Sequence, residues 1–222
     1  MRLALWILLC LCLLPTQSNS RAPVPGSSVG LYRLDMAKTR ISFNIQHFGV
    51  PWVSARFPDF SGDFVLDRDG AASRLDVSVQ MATVECTEPF WNGRMRSAEW
   101  LDVQRYPLTS FHSTRVDFEG DGAALASGQL TLHGITQTVG LAISGLRCSA
   151  DTTSGDTASG DSCSFVARTR IKRSDYGLPH GFWTGGDLVD IVISGAGVRS
   201  SDLASDGVRA APPTGSVTPR AY

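Results

Sequence analysis

The feature that most constrains this chain is an apolar residue at every second position, in run after run separated by short glycine and aspartate turns. In "RISFNIQH", Ile41, Phe43, Ile45 and His47 share one face, and Ser42, Asn44 and Gln46 the other. "GDFVLD" sets Phe64 with Leu66, and "SRLDVSVQMATV" sets Leu75, Val77, Val79 and Met81 against Asp76, Ser78 and Gln80. "LTSFHSTRVDF" follows, and "GQLTLHG" and "QTVGLAISGL" carry Leu130 and Leu132, then Val139, Leu141 and Ile143. Phe165, Ala167, Thr169 and Ile171 alternate in "SFVARTRIKRS", as do Val189, Ile191 and Ile193 in "DLVDIVISGAGV". Alternation of this kind marks strands with one face buried. With "VGLYRLD" and "WVSARFPDFSG" the chain has eight or more of them, without a fixed-period repeat. Strands polar on one side suit an antiparallel sheet. Such a sheet must cover its apolar face or close on itself, and closure removes its edges.

One interval loses the period of two. "EPFWNGRMRSAEWLDVQRYP" contains helix formers, with Met95, Trp100 and Val103 separable from Arg94, Arg96, Glu99 and Asp102. It reads as one short helix bounded by Asn92-Gly93 and Tyr106-Pro107, capping one end of a barrel. Glu99, three residues after Arg96, is placed for a surface ion pair on that helix.

The chain opens with Arg2, then an uncharged apolar run from Leu3 to Leu14, then Pro15 and small polar residues. This run is shorter than the roughly 20 residues a membrane-spanning helix needs. It is expected to be a secretory signal peptide, residues 1–20, cut near Ser20. Of 222 residues, 202 then remain, a usual size for one domain. Residues 21–30 form a flexible lead-in, 31–198 the folded body, and 199–222 a Pro/Ala/Ser/Gly-rich tail expected to be disordered. Without Arg2 the charge is 19 Lys and Arg against 21 Asp and Glu, with no basic block, which argues against nucleic acid as a partner. Secretion permits disulfides. Cys148 and Cys163 bracket "SADTTSGDTASGDS", so a bridge between them would clamp that loop and leave Cys86 buried and inert.

Six pieces, in order, resemble the YceI-like family, secreted bacterial proteins with a lipocalin-like barrel. They are "YRLDMAKTRISFNIQHFGV", "ARFPDFSGDFVLD", "NGRMRSAEWLDVQRYPLTSFHSTRV", "SGQLTLHGITQTVGLAISG", "IKRSDYGL" and "GDLVDIVISGAGV". The third and fourth are the most specific. The resemblance implies an all-β, eight-stranded antiparallel lipocalin-like barrel with one short capping helix, holding a polyisoprenoid or isoprenoid quinone inside. Inward residues from the alternation would supply its lining: Ile41, Phe43, Ile45, Phe64, Leu66, Val77, Val79, Leu130, Leu132, Leu141, Ile143, Phe165 and Ile171. Arg94, Arg96 and Tyr176 are candidates to meet a polar head near the mouth. The chain departs from the family pattern at Pro51 and Trp52, in the long cysteine-bounded loop, and at Phe182 and Trp183 in "GLPHGFWTGG". Aromatics there would cover the core, gate a ligand, or give transient membrane contact or a homodimer.

Chemistry has little to stand on. His47, His112, His133 and His180 are scattered, without the spacing of a metal site. His133 precedes Gly134 in "LTLHGITQTVGLAISG", read as a hairpin with a tight turn and its Leu and Ile side chains facing inward. "GSSVG" around Ser28 matches the nucleophile-elbow letters but lies in the lead-in, without the strand and helix that motif requires. Glu85 and Glu88 beside Cys86 read as a solvated approach to the helix. The expectation is a periplasmic binding protein, not an enzyme, without cofactor or metal. Two alternatives stay open: an envelope stress or structural barrel filled by its own side chains, and a redox-associated protein using His47 or Cys86.

Overall fold

The computed structural model describes residues 29–67, 72–149, 162–181 and 185–200. The leader, the lead-in to residue 28, most of the cysteine-bounded loop, Phe182 and Trp183, and the tail from residue 201 lie outside the described residues.

Eleven strands build eight staves of a closed antiparallel barrel. Strands β1 (Gly30–Leu34) and β2 (Arg40–His47) both run antiparallel to the last strand, β11 (Leu188–Arg199), and so form one interrupted stave. Strands β3 (Val50–Phe57) and β4 (Phe60–Leu66) form the next: β3 pairs with β2, and β4 with β1. Strands β5 (Arg74–Gln80) and β6 (Glu85–Cys86) form the third, pairing with β4 and β3. Strands β7 (Leu108–Gly120), β8 (Ala123–Leu132), β9 (Ile135–Ser149) and β10 (Ser162–Lys172) continue the meander from β5 to β11. Pairing of β11 with β1 closes the ring.

Local chemistry explains the interruptions. Between β1 and β2, Asp35 accepts from the Lys38 and Thr39 amides, and the buried Thr39 hydroxyl exchanges hydrogen bonds with Ala196 of β11. A side chain thus replaces the missing ladder rungs. Between β3 and β4 stands Pro58, which has no amide hydrogen to donate. The β8–β9 turn is His133-Gly134, with φ of 52° and 75°. Two positive φ values in a two-residue loop match the twist of a hairpin. A Cβ on Gly134 would meet the Tyr106 ring at 2.6 Å, so that residue has little room to change.

The expected helix is shorter than its sequence suggested. Helix α1 spans only Trp91–Arg96, and the chain then turns through residues 98–105. At about 100° per residue, Trp100 would lie roughly 140° around a continuous helix from Met95. Leaving the helix at Ser97, whose hydroxyl donates to the Arg94 carbonyl, lets Met95, Trp100 and Val103 all be buried. The expected Arg96–Glu99 pair does not form: Arg96 Nη2 donates to the Val84 carbonyl at 2.8 Å. Cys148 and Cys163 face each other across β9 and β10 and are joined by a disulfide. The barrel therefore has an α1 end, where the segment from 87 to 107 sits, and a disulfide end.

Candidate functional site

Inside the barrel is a cavity with an empty volume of about 1040 Å³, part of it open to solvent. Its wall is almost entirely carbon. Ile41, Phe43 and Ile45 come from β2, Val77 and Val79 from β5, Leu130 and Leu132 from β8, Leu141 from β9, and Ile171 from β10. Each is an inward position of the alternation. The other expected lining residues, Phe64, Leu66, Ile143 and Phe165, line a second, smaller space of about 360 Å³ at the disulfide end.

The α1 end supplies lining that alternation could not reveal. Met95, Trp100 and Leu101 come from the turn segment, Leu178 and Pro179 from the β10–β11 connection. Between β6 and β7 this segment, not a strand ladder, fills the wall: β7 pairs with β5 and β8. Hydrogen bonds fasten it at single points, from the Cys86 amide to Asn92 and from Arg96 to Val84. Phe48 and Phe90 stand outside it, 80% and 73% exposed, and the Trp91 ring packs against both Phe90 and Trp52 at 5.0 Å.

None of Arg94, Arg96 and Tyr176 lines the central cavity. Arg94 is exposed, its guanidinium 5.9 Å and 5.8 Å from the rings of Trp91 and Trp100. Tyr176 is 1% exposed, and its buried hydroxyl has no hydrogen-bond partner among the described residues. Burial pushes that phenol up to about 12, and nearby Asp175 adds to the effect. The cation that reaches the cavity is Arg173, 2% exposed. Its guanidinium lies 4.8 Å from the Trp100 ring and donates to the Gly186 carbonyl. Burial pushes it down to about 10, against the opposing charge of Asp187, so it remains a cation at neutral pH. Thr109 adds a buried hydroxyl oxygen from the same wall, without a hydrogen-bond partner among the described residues.

The histidines do not converge. His47 packs on Phe48 and Trp52, and His112 pairs with Asp76 on the outer wall. His133 bonds the Tyr176 carbonyl and His180 that of Leu178. Among the described residues no group of three His, Cys, Asp or Glu side chains could hold a metal ion. Cys86 is buried and its thiol pushed up by desolvation, with Arg96 pulling partly back. That setting suppresses the thiolate on which cysteine reactivity depends.

A closed up-and-down barrel around an apolar cavity, capped at one end by a short helix, defines a lipocalin-like binding architecture. A YceI-like domain matches residues 32–196, and the chain belongs to that family. It is 33% identical over 161 residues to a UPF0312 protein of Serratia proteamaculans, covering 72% of this chain and 81% of that one. Protein YceI of Escherichia coli is 31% identical over 178 residues, covering 78% and 90%. Among solved structures, Burkholderia cenocepacia BcnA superposes with a TM-score of 0.62 at 22% identity, covering 73% of this chain and 98% of its own. A polyisoprenoid binding domain from Saccharophagus degradans gives 0.54 at 17% identity, covering 78% and 100%.

Proposed function

We propose that the protein holds an isoprenoid-type amphiphile, a polyisoprenoid or a prenyl quinone, inside its barrel and does not transform it. The observation that carries this is the central cavity itself, a space inside the barrel whose wall offers carbon almost everywhere. Water gains few hydrogen bonds there, whereas each methylene moved in from water contributes about 0.8 kcal/mol. The polyisoprenoid binding domain of Saccharophagus degradans, similar in fold, supports the same class of ligand. The polar head is assigned to the α1 end, where Arg173 and the Thr109 hydroxyl reach the cavity. Export to the periplasm, with residues 1–20 removed, fits the leader. A protein that exchanges such a lipid must meet a membrane, and exposed Phe48, Trp52 and Phe90 beside the turn segment suit transient contact.

Mass spectrometry of organic extracts tests this directly, on mature protein purified from its native envelope without detergent. The expected result is a prenyl lipid at near-stoichiometric amount. An empty extract, with no uptake when quinones and polyprenols are added back, refutes the container and leaves a structural barrel.

A further inference from the structure

Among the described residues that line the central cavity there is no Asp, Glu or His, and one cation, Arg173. Three hydroxyls accompany it: Ser42, which donates to the Val192 carbonyl, Thr169, and Thr109 with its buried oxygen. A carbon-walled space with a positive charge and no negative one is polarised in a single sense. The fold holds that charge in place. The Arg173 amide donates to the Asp187 carbonyl at 2.8 Å, and its own carbonyl accepts from the Tyr176 and Leu178 amides at 3.1 Å and 3.0 Å. Its guanidinium lies against the Trp100 ring and donates to the Gly186 carbonyl, both neutral groups. The carboxylate that opposes its charge, Asp187, has its two oxygens on the Ser174 amide and hydroxyl, each at 2.8 Å, and does not line the cavity.

We propose that Arg173 makes the cavity select an isoprenoid with an oxyanion head, a phosphate or a carboxylate, over the alcohol or quinone on the same chain. The inference rests on the container reading and specifies its ligand. Burying a cation among carbon costs free energy, which an opposite charge beside it recovers. An oxyanion brings that charge together with acceptor oxygens, and hydrogen bonds between ionised partners are about twice as strong as neutral ones. An apolar wall that excludes water leaves the attraction less screened than at a surface. A quinone carbonyl accepts a hydrogen bond but brings no charge, and an alcohol also brings a hydrogen that no carboxylate on this wall receives. The Thr109 hydroxyl can serve any of these heads, so the choice among them falls to Arg173. Carbon alone would rank them the other way, because the uncharged heads leave water more readily.

The test is displacement of the neutral probe N-phenyl-1-naphthylamine from the mature protein, without detergent. The competitors are farnesol, farnesyl phosphate, farnesoic acid and a quinone carrying the same prenyl chain. In the wild type at neutral pH, the phosphate or the acid should compete on the order of tenfold or more better than farnesol and the quinone. Preference for both assigns the site to oxyanions in general, and preference for one of them names the head. Arg173→Gln, checked for a folded barrel by circular dichroism, should bring the anion-to-alcohol ratio close to one, whereas Arg173→Lys should keep most of it. That ratio is read within one protein, so a general loosening of the barrel, which weakens every competitor alike, does not imitate the effect. Where the glutamine variant does not fold, the wild-type ranking decides. Farnesol or the quinone competing as well as the anions, or the wild-type ratio persisting in folded Arg173→Gln, overturns the head-group assignment while leaving the container intact. No probe or prenyl compound bound by any of the three proteins overturns the container, and the role of Arg173 with it.

Discussion

Replacing Tyr176 with Phe separates two roles for a residue that the sequence suggested as a head-group contact. The hydroxyl is buried, unpaired among the described residues, and outside the cavity lining. An unsatisfied buried polar group costs about 1–3 kcal/mol, so Tyr176→Phe should stabilise the protein at neutral pH by about 1 kcal/mol. A second consequence appears in alkali, because the phenol is raised from 10.0 to about 12. Below pH 10 the phenol is neutral in both folded and unfolded chains, and its contribution is constant. Between about 10 and 12 the unfolded tyrosine ionises and the folded one does not, so wild-type stability falls as pH rises. Two units at about 1.36 kcal/mol each make that loss roughly 2.7 kcal/mol by pH 12. Urea unfolding of both proteins, at steps from pH 7 to 12, should show a difference that is flat to pH 10 and then widens. Lipid loading should be unchanged. A variant less stable at neutral pH, with a difference that stays flat in alkali, would show that the hydroxyl has a partner. Lost loading at unchanged stability would restore Tyr176 as a ligand contact.

Three further outcomes are expected. Changing Cys148 and Cys163 together to Ser releases a loop closed over a sequence separation of 15 and should cost up to about 3 kcal/mol, read from urea unfolding with and without reductant. Cys86 should react with a thiol reagent only as fast as the barrel opens, and rapid labelling of the folded protein would contradict its burial. Phe48→Ser with Phe90→Ser should leave stability within about 0.5 kcal/mol but sharply reduce co-sedimentation with phosphatidylcholine vesicles. That binding should be indifferent to salt, because Arg94, Arg96 and Arg105 in the turn segment are balanced by Glu88, Glu99 and Asp102.

Parity along the strands was legible because it is local. Ile41, Phe43 and Ile45, or Val77 and Val79, point inward wherever their strands end up. The same parity continues through Ile171 to Arg173, so the cavity's cation had a signal: it is the next in-phase residue, one past the end of β10. A charge is costly to bury unpaired, and the structure covers this one with Trp100 and the Gly186 carbonyl. Ile135 shows the reverse. It keeps phase with Val139 and Leu141 but is 38% exposed, because its stave runs past the end of the core. The helix was overextended because apolar spacing was read without its angle. Leu178 and Tyr176 lie on a connection with no period to read at all.

Whether inward side chains meet or leave a space depends on layers, and layers are assembled from strands far apart in sequence. Phe165 lies opposite Gly195, thirty residues on, and Phe111 opposite Leu130 and Val77. Phe111, ladder neighbour of Val77 and Leu130, lines the central cavity with them, whereas Phe165 and Phe64 line the smaller space. A single strand cannot show which of these its residues will join, because that choice lies in the register. The residues that make this barrel hollow are thus no different in kind from those that would fill it. Register seats Phe165 and Phe64 on Gly195 and Gly197 of β11, and Phe111 on Gly128 of β8, where a Cβ would meet each ring. Phe165 and Phe64 thus line the smaller space at the disulfide end, and Val77, Leu141 and Ile171 the central cavity.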